Sequence, residues 1–298
     1  MINQKTLVTG ATGFVGSTLC DILESDDYIV KRSNQRLSEM DWSHTLAGID
    51  AVVHLAARVH IMQDKTADPL AEFRVINVDG TLNLARQAAK SGVKRFVFLS
   101  SIGVNGAVTR LNKPFTSDDI PAPHSDYAIS KHEAEIGLRK IAIETGMQVV
   151  IIRPPLIYGA NAPGNFGSLL RIVKRGWPLP LGAVTQNRRS FVALDNLVDL
   201  IITCINHPNA ANQTFLVSDN EDVSTTDLLR KMAVAQGIPN RLFPVPVGLL
   251  SLCAKLVGKQ DIAQRLLGSL QVDISHTQKL LDWQPIISLE EGLQKCIS

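Results

Sequence analysis

Short apolar runs rich in β-branched residues recur through the first half of the chain, at Thr6–Thr9, Tyr28–Val30, Ala51–Leu55, Phe96–Leu99 and Val149–Ile152. They are apolar at successive rather than alternate positions, the pattern of strands covered on both faces, as in a parallel sheet. Stretches with helical spacing separate most of them: Phe14–Leu23, Leu70–Lys90 and Tyr127–Glu144. Strand–helix alternation with short connections predicts an α/β fold built on a doubly wound parallel sheet with right-handed crossovers. After Arg153 the rhythm changes. Pro and Gly punctuate residues 154–182, with one helix near Phe166–Arg175. Further short elements follow at Phe191–Val192, from Asp195, at Thr214–Val217 and after Ser224, and the tail from Pro246 is mostly helical. The expected division is a main domain over residues 1–157 that also takes in part of 185–217, with 158–298 forming mainly a smaller α/β lobe.

Composition narrows the function classes. The chain has 298 residues, 45% of them hydrophobic and 19% charged, enough for a core and too apolar for a disordered chain. Thirty Lys and Arg against 28 Asp and Glu leave a net charge of +2, and only 5% of residues are aromatic. Neither figure suits a nucleic-acid binder. The four cysteines, Cys20, Cys204, Cys253 and Cys296, form no metal-binding or disulfide pattern. No His/Asp/Glu cluster suggests a metal either. The start of the chain enters a strand without a signal-peptide pattern, and the most apolar stretch, Leu242–Val257, is broken by prolines and falls short of the ~20 residues that span a bilayer. A cytoplasmic protein without stable membrane insertion is expected.

The candidate chemistry begins at Thr9-Gly10-Ala11-Thr12-Gly13-Phe14-Val15-Gly16, directly between the first strand and the first helix. Gly10 permits a tight turn, Gly13 lets backbone amides approach a pyrophosphate, and Gly16 allows close packing of helix on sheet. The N-terminus of the helix then faces the negative charge. This predicts a dinucleotide site at Gly10, Thr12, Gly13, Phe14, Val15 and Gly16. The second strand ends Val30-Lys31-Arg32, without the acid that accepts from the ribose 2′-hydroxyl of NAD. A cation there suits a 2′-phosphate, so Arg32 makes NADP(H) the expected cofactor and NAD(H) the alternative. Tyr127 and Lys131 lie four apart at the start of a helical pattern, on one face. A phenol is a poor acid or base at neutral pH, and a nearby ammonium favours its phenolate. Tyr127 can then exchange a hydroxyl proton while hydride moves to or from a nicotinamide.

With its Gly-x-x-Gly-x-x-Gly turn and Tyr127-Ala-Ile-Ser-Lys131, the sequence resembles the extended short-chain dehydrogenase/reductase superfamily nearly end to end. Further matching segments are His54-Leu-Ala-Ala57, Asn77-Val-Asp-Gly-Thr81, Ser100-Ser101, Arg153-Pro-Pro155, Arg189-Ser-Phe-Val192 with Asp195, and Leu281-Asp-Trp-Gln-Pro285. The closing pattern is similar to the nucleotide-sugar branch, the UDP-hexose 4-epimerases and sugar 4-ketoreductases. The resemblance implies a Rossmann sheet with a substrate-binding C-terminal lobe, and a catalytic set of Ser101, Tyr127 and Lys131. It adds Asp41, Trp42, Leu55, Ala56, Ala57, Asn77, Ser100 and Pro154 to the cofactor site, with Asp41 accepting from the adenine amine. It places Asn165 and Arg189 with Ser101 at a nucleotide-diphosphate sugar, and it implies a homodimer. Ile102-Gly103 stand where sugar dehydratases carry an Asp-Glu pair, so elimination of water is disfavoured. Three readings follow. The first is hydride transfer at C4 of a UDP-hexose or UDP-N-acetylhexose, by a 4-epimerase or a 4-ketoreductase. The others are an NADPH-dependent carbonyl reductase on a non-sugar substrate and a non-catalytic NADP-binding regulator.

Overall fold

The inner strands of the main sheet send alternate residues to opposite faces, and both sets are largely apolar. In this computed structural model, which describes residues 4–35, 41–59 and 68–297, the strands β1 (Lys5–Thr9), β2 (Ile29–Ser33), β3 (Ala51–His54), β4 (Arg95–Leu99), β5 (Gln148–Arg153) and β8 (Thr214–Leu216) form one parallel sheet in the order β2-β1-β3-β4-β5-β8. Val8, Val53, Val97, Val150 and Ile152 point to one face, against Leu19 and Leu23 of α1 (Phe14–Ser25) and Leu197 and Ile201 of α7 (Leu194–Asn206). Leu7, Val52, Phe96, Phe98 and Ile151 point to the other, against Leu84 and Ala88 of α4 (Thr81–Lys90) and Ala134, Leu138 and Ile141 of α5 (Asp126–Thr145). That double burial is why the runs read as continuous rather than alternating.

The chain passes from β1 to β2 on one side and then to β3 on the other side of β1. A crevice opens outside the carboxyl ends of two strands whose connections leave in opposite directions, here β1 and β3. A smaller parallel pair, β6 (Leu156–Tyr158) with β7 (Phe191–Ala193), leads into a third apolar cluster. There Phe166 of α6 (Asn165–Lys174), Leu229 and Met232 of α8 (Thr225–Ala235), and Leu289 and Leu293 of α12 (Leu289–Lys295) meet. Among the described residues no helix is long and apolar enough to cross a membrane.

Local signals set the helix ends that matter. Ser125 caps α5 by accepting from the Ala128 amide at 3.3 Å, and Gly146 ends the helix in the left-handed region at φ 74°. The stretch expected as one helix from Leu70 to Lys90 is three pieces: α3 (Pro69–Arg74), a π-helical turn over Val75–Gly80, and α4. The π turn rotates the following residues relative to an unbroken helix and carries Asn77 inward.

Beneath the crevice lies a buried polar network. Arg153 at the end of β5 donates to both carboxylate oxygens of Glu135 on α5, at 2.9 and 2.5 Å, and to Asn105 at 3.0 Å. Ser100, just past β4, donates to the same carboxylate at 2.6 Å. Two strands and a helix are thus fastened by one ion pair sealed from water. Removing one partner of such a pair leaves a buried charge unpaired, which costs about 3–5 kcal/mol. Arg153→Met is expected to destabilise the protein by that amount in denaturant unfolding. Adding Glu135→Gln, which removes the charge and keeps an acceptor for Ser100, is expected to restore much of the loss. A double variant no more stable than the single one would contradict the pairing.

Candidate active site

The turn between β1 and α1 packs too closely at two positions to admit a side chain. Gly10 has φ +69°, and a Cβ on it would come within 2.8 Å of the Ala56 amide nitrogen; a Cβ on Gly16 would stand 2.1 Å from the Gly10 carbonyl. The turn is held by the Gly10 amide donating to Ser33 O at 3.0 Å and the Thr12 amide donating to Asn34 Oδ1 at 3.0 Å. The first amides of α1 open towards a cavity of about 550 Å³. The cavity is lined by the whole turn from Gly10 to Gly16 except Ala11, by Leu55, Ala56 and Ala57 after β3, by Ser100 and Ser101 after β4, by Tyr127 and Lys131 on α5, and by Pro154 after β5. A long groove with bare backbone and a helix start at one end and titratable groups at the other fits an extended dinucleotide.

At the chemical end, Tyr127, Lys131 and Glu135 occupy successive turns of one face of α5. Lys131 is 1% exposed; its Nζ donates to Leu99 O at 2.8 Å and sits 4.4 Å from the centre of the Phe98 ring and 5.9 Å from that of Tyr127. Burial pulls this ammonium down to about 7, opposed by the Glu135 carboxylate. Burial also pushes the Tyr127 phenol up to about 12. Ser101 caps the short 3₁₀ turn Ile102–Val104, accepting from the Gly103 amide at 3.1 Å, so its hydroxyl hydrogen remains available. His54 is fully buried between Thr9 and Thr81, at 2.6 and 2.9 Å, and burial pulls it down to about 3. A neutral histidine in that setting packs and aligns the strand end.

Several expected site residues stand elsewhere. Arg32 does not line the cavity: its guanidinium turns onto α1 and pairs with Asp21 and Glu24 at 2.7 and 2.8 Å. Lys31 donates to His44 O at 3.3 Å. Among the described residues, those that meet the cavity beyond β2 are Asn34 and Gln35, both neutral, which reading the strand end alone missed. Trp42 is fully buried in the core beside Leu7 and Leu46 rather than at the groove. Asp41 accepts from the Ser43 amide at 2.9 Å. Asn77 also lies off the cavity, where its amide brackets the backbone of Arg58, accepting at 2.8 Å and donating at 3.1 Å, and donates to Ser130 at 3.0 Å. It holds the loop after β3 from behind.

In the smaller lobe, Asn165 opens α6, and its side chain lies outside the described residues. Arg189 is half-buried, donates to Gly268 O at 3.2 Å, and is pulled down to about 10 by burial and then by the neighbouring charge of Arg265. His124, three residues before Tyr127, is lowered first by burial and then by Arg265 on α10 (Gln260–Leu267), against Asp261. Arg265 is a candidate that no local motif marks, because only the packing of α10 brings it there. Among the described residues no group of three His, Cys, Asp or Glu is placed to hold a metal ion.

Residues 6–218 match the model of the NAD dependent epimerase/dehydratase family. Over 98% of its length the chain is 48% identical to a UDP-glucose 4-epimerase of Vibrio cholerae, covering 94% of that protein. It is 29% identical to an N-acetyl-α-D-glucosaminyl-diphospho-ditrans,octacis-undecaprenol 4-epimerase of Escherichia coli, over 87% of this chain and 82% of that one. A solved UDP-N-acetylglucosamine 4-epimerase from Bacillus cereus superposes with a TM-score of 0.81 at 19% identity, covering 99% of this chain and 98% of its own. The glycine turn, the parallel sheet and a family match across more than two thirds of the chain agree, and the protein belongs to the NAD dependent epimerase/dehydratase family.

Proposed function

We propose that this protein is a 4-epimerase of UDP-hexoses or UDP-N-acetylhexoses that works with tightly held NAD(H). The observation that carries this reading is the single cavity joining the glycine turn to Ser101, Tyr127 and Lys131. The near-complete match to a UDP-glucose 4-epimerase supports it. When bound, the dinucleotide supplies the hydride acceptor and donor and, when oxidised, a positive ring charge. Tyr127 takes the proton of the C4 hydroxyl as C4 gives up hydride, and returns it to the oxygen when hydride comes back to the opposite face of the ketone. Ser101 donates a hydrogen bond to that oxygen in both directions. Lys131 supplies positive charge under the phenol; since burial alone pushes Tyr127 up and Lys131 down, phenolate forms only when nearby positive charge offsets burial. Tyr127→Phe, which keeps the ring and removes the proton carrier, is expected to lower kcat about 10²–10⁴-fold with bound cofactor unchanged. Loss of less than tenfold in a coupled UDP-galactose to UDP-glucose assay would refute the assignment.

The cofactor reading departs from the strand-end expectation of NADP(H). A 2′-phosphate needs a cation, and among the described residues Arg32 is engaged by two carboxylates while neutral Asn34 and Gln35 face the cavity. An exchanging 4-ketoreductase is the reading that Lys31 and Arg32 at the end of β2 favour through NADP(H), and it weakens with them. Protein denatured after gel filtration is expected to release NAD or NADH in near-stoichiometric amount, and Arg32→Ala is expected to leave the ratio of NADH to NADPH affinity unchanged. Release of NADP(H), or a large change in that ratio, would overturn this reading.

Arg189 and Arg265 form the proposed clamp for the substrate diphosphate. Two cations converge there, and among the described residues Arg189 has no carboxylate partner. Charge-assisted hydrogen bonds contribute about 1.5–3 kcal/mol each. Arg265→Ala and Arg189→Ala are each expected to raise KM for a UDP-sugar about tenfold or more, with kcat changed much less. An unchanged KM would point to a substrate without a diphosphate.

A further inference from the structure

Helix α9 (Val247–Leu256), Val-Gly-Leu-Leu-Ser-Leu-Cys-Ala-Lys-Leu, is apolar almost all round, yet none of its residues is buried, and none of α10 is either. A helix of that composition normally lies in a core. Here it touches the lobe through Leu250, while Leu249, Leu252, Leu256 and Val257 are 51%, 53%, 77% and 67% exposed. Next to it, the backbone of Phe243 pairs with that of Leu179 at 3.0 Å, and Arg241 donates to Gly176 O at 3.2 Å. These bonds set Phe243 and Trp177, 45% and 58% exposed, on the same surface.

The charge around this surface is one-sided. Residues 171–175 and 241–259 hold six Lys and Arg and no Asp or Glu, and α10 carries one carboxylate, Asp261, at its start. Arg175 and Arg241 stand by Trp177, Lys255 lies on α9 and Lys259 just after it, with Arg171 and Lys174 in the last turn of α6 before Arg175, and among the described residues none of the six is ion-paired. Arg175 lies 5.6 Å from the centre of the Trp177 ring.

We propose that the α9–α10 hairpin, with Trp177 and Phe243, docks this lobe on the surface of an anionic phospholipid bilayer. Ten residues of helix reach about 15 Å, half the hydrocarbon thickness, so α9 lies in the interface rather than across it. Apolar side chains enter the headgroup boundary, and the cations meet anionic headgroups. A second copy of this chain is the poorer occupant, because a two-fold contact through the same patch would bring unpaired cations against one another. Docking carries Arg265, on the same hairpin, to the membrane. There a sugar diphosphate on a lipid, or a membrane enzyme that consumes the product, would be met. The inference stands independently of the epimerase reading.

The test is sedimentation of the full chain with vesicles of phosphatidylglycerol and phosphatidylethanolamine, and with vesicles of phosphatidylcholine alone. Binding to the first and not the second is expected, weakened at least tenfold by Leu252→Glu/Leu256→Glu and by Lys255→Glu/Lys259→Glu. Both double variants are expected to keep wild-type turnover on a soluble UDP-sugar. Of the three tryptophans, Trp42 and Trp283 are buried, so a blue shift of emission on vesicles reports Trp177 and is lost in Trp177→Phe. Absence of binding, equal binding of the variants, or a dimer abolished by Leu252→Glu/Leu256→Glu would each overturn the proposal.

Discussion

A carboxylate and a guanidinium sealed from water hold the working parts of this molecule in register. Glu135 reaches from α5 to Arg153 at the end of β5 and accepts from Ser100 at the end of β4. Desolvating two charges is expensive, and their attraction repays it only when the remaining lone pairs and protons are also satisfied. Ser100 and Asn105 do that here. The consequence runs along the helix. Tyr127, Lys131 and Glu135 share one face of α5, so fixing Glu135 against the sheet fixes Lys131 under the Leu99 carbonyl and Tyr127 at the cavity wall. Ser101 follows Ser100 directly, so the same anchor positions the hydroxyl on the other side. The catalytic candidates come from two elements whose relative placement is set one layer below the cavity.

How much of this could be read from the sequence depends on whether the signal was local. The five strands expected in the first half are all present; for the inner four, double burial leaves an apolar run that survives without tertiary information, while the edge strand β2 extends past its apolar start into Lys31, Arg32 and Ser33. The glycine turn was legible for a similar reason: a left-handed Gly10 and a Gly16 with no room for a Cβ are requirements of the backbone. Tyr127 and Lys131 were legible because helical spacing alone puts them on one face. Side-chain direction at a strand end was not. Whether Arg32 reached forward to a cofactor or back to α1 depended on where Asp21 and Glu24 stood after the first βαβ unit folded. Trp42 and Asn77 fall to the same cause, since proximity in sequence to a groove does not distinguish a wall from the packing behind it. The π turn at Val75–Gly80 carried no composition signal at all, and it is what turns Asn77 towards Arg58.

Two cations are kept where their surroundings oppose them. Lys131 is drawn from 10.5 to about 7 by burial, and Arg189 to about 10 by burial and Arg265. For Lys131 the sign is unfavourable to the fold: below pH 7 the unfolded chain carries a fully solvated ammonium and the folded chain a buried one. That penalty fades only as pH rises from about 7 towards 10.5. A structure shaped for stability alone would replace such groups, since apolar side chains of similar size do better in those positions. Their retention is understandable if negative charge arises or arrives beside them: a phenolate at Tyr127 before that residue takes the proton of the C4 hydroxyl, and a diphosphate at Arg189 and Arg265. Stability forgone by the fold then reappears as selective binding of the charged state that reacts. The buried Glu135–Arg153 pair supplies the rigid sheet-and-helix frame that holds Lys131 under the Leu99 carbonyl instead of letting it turn out to solvent.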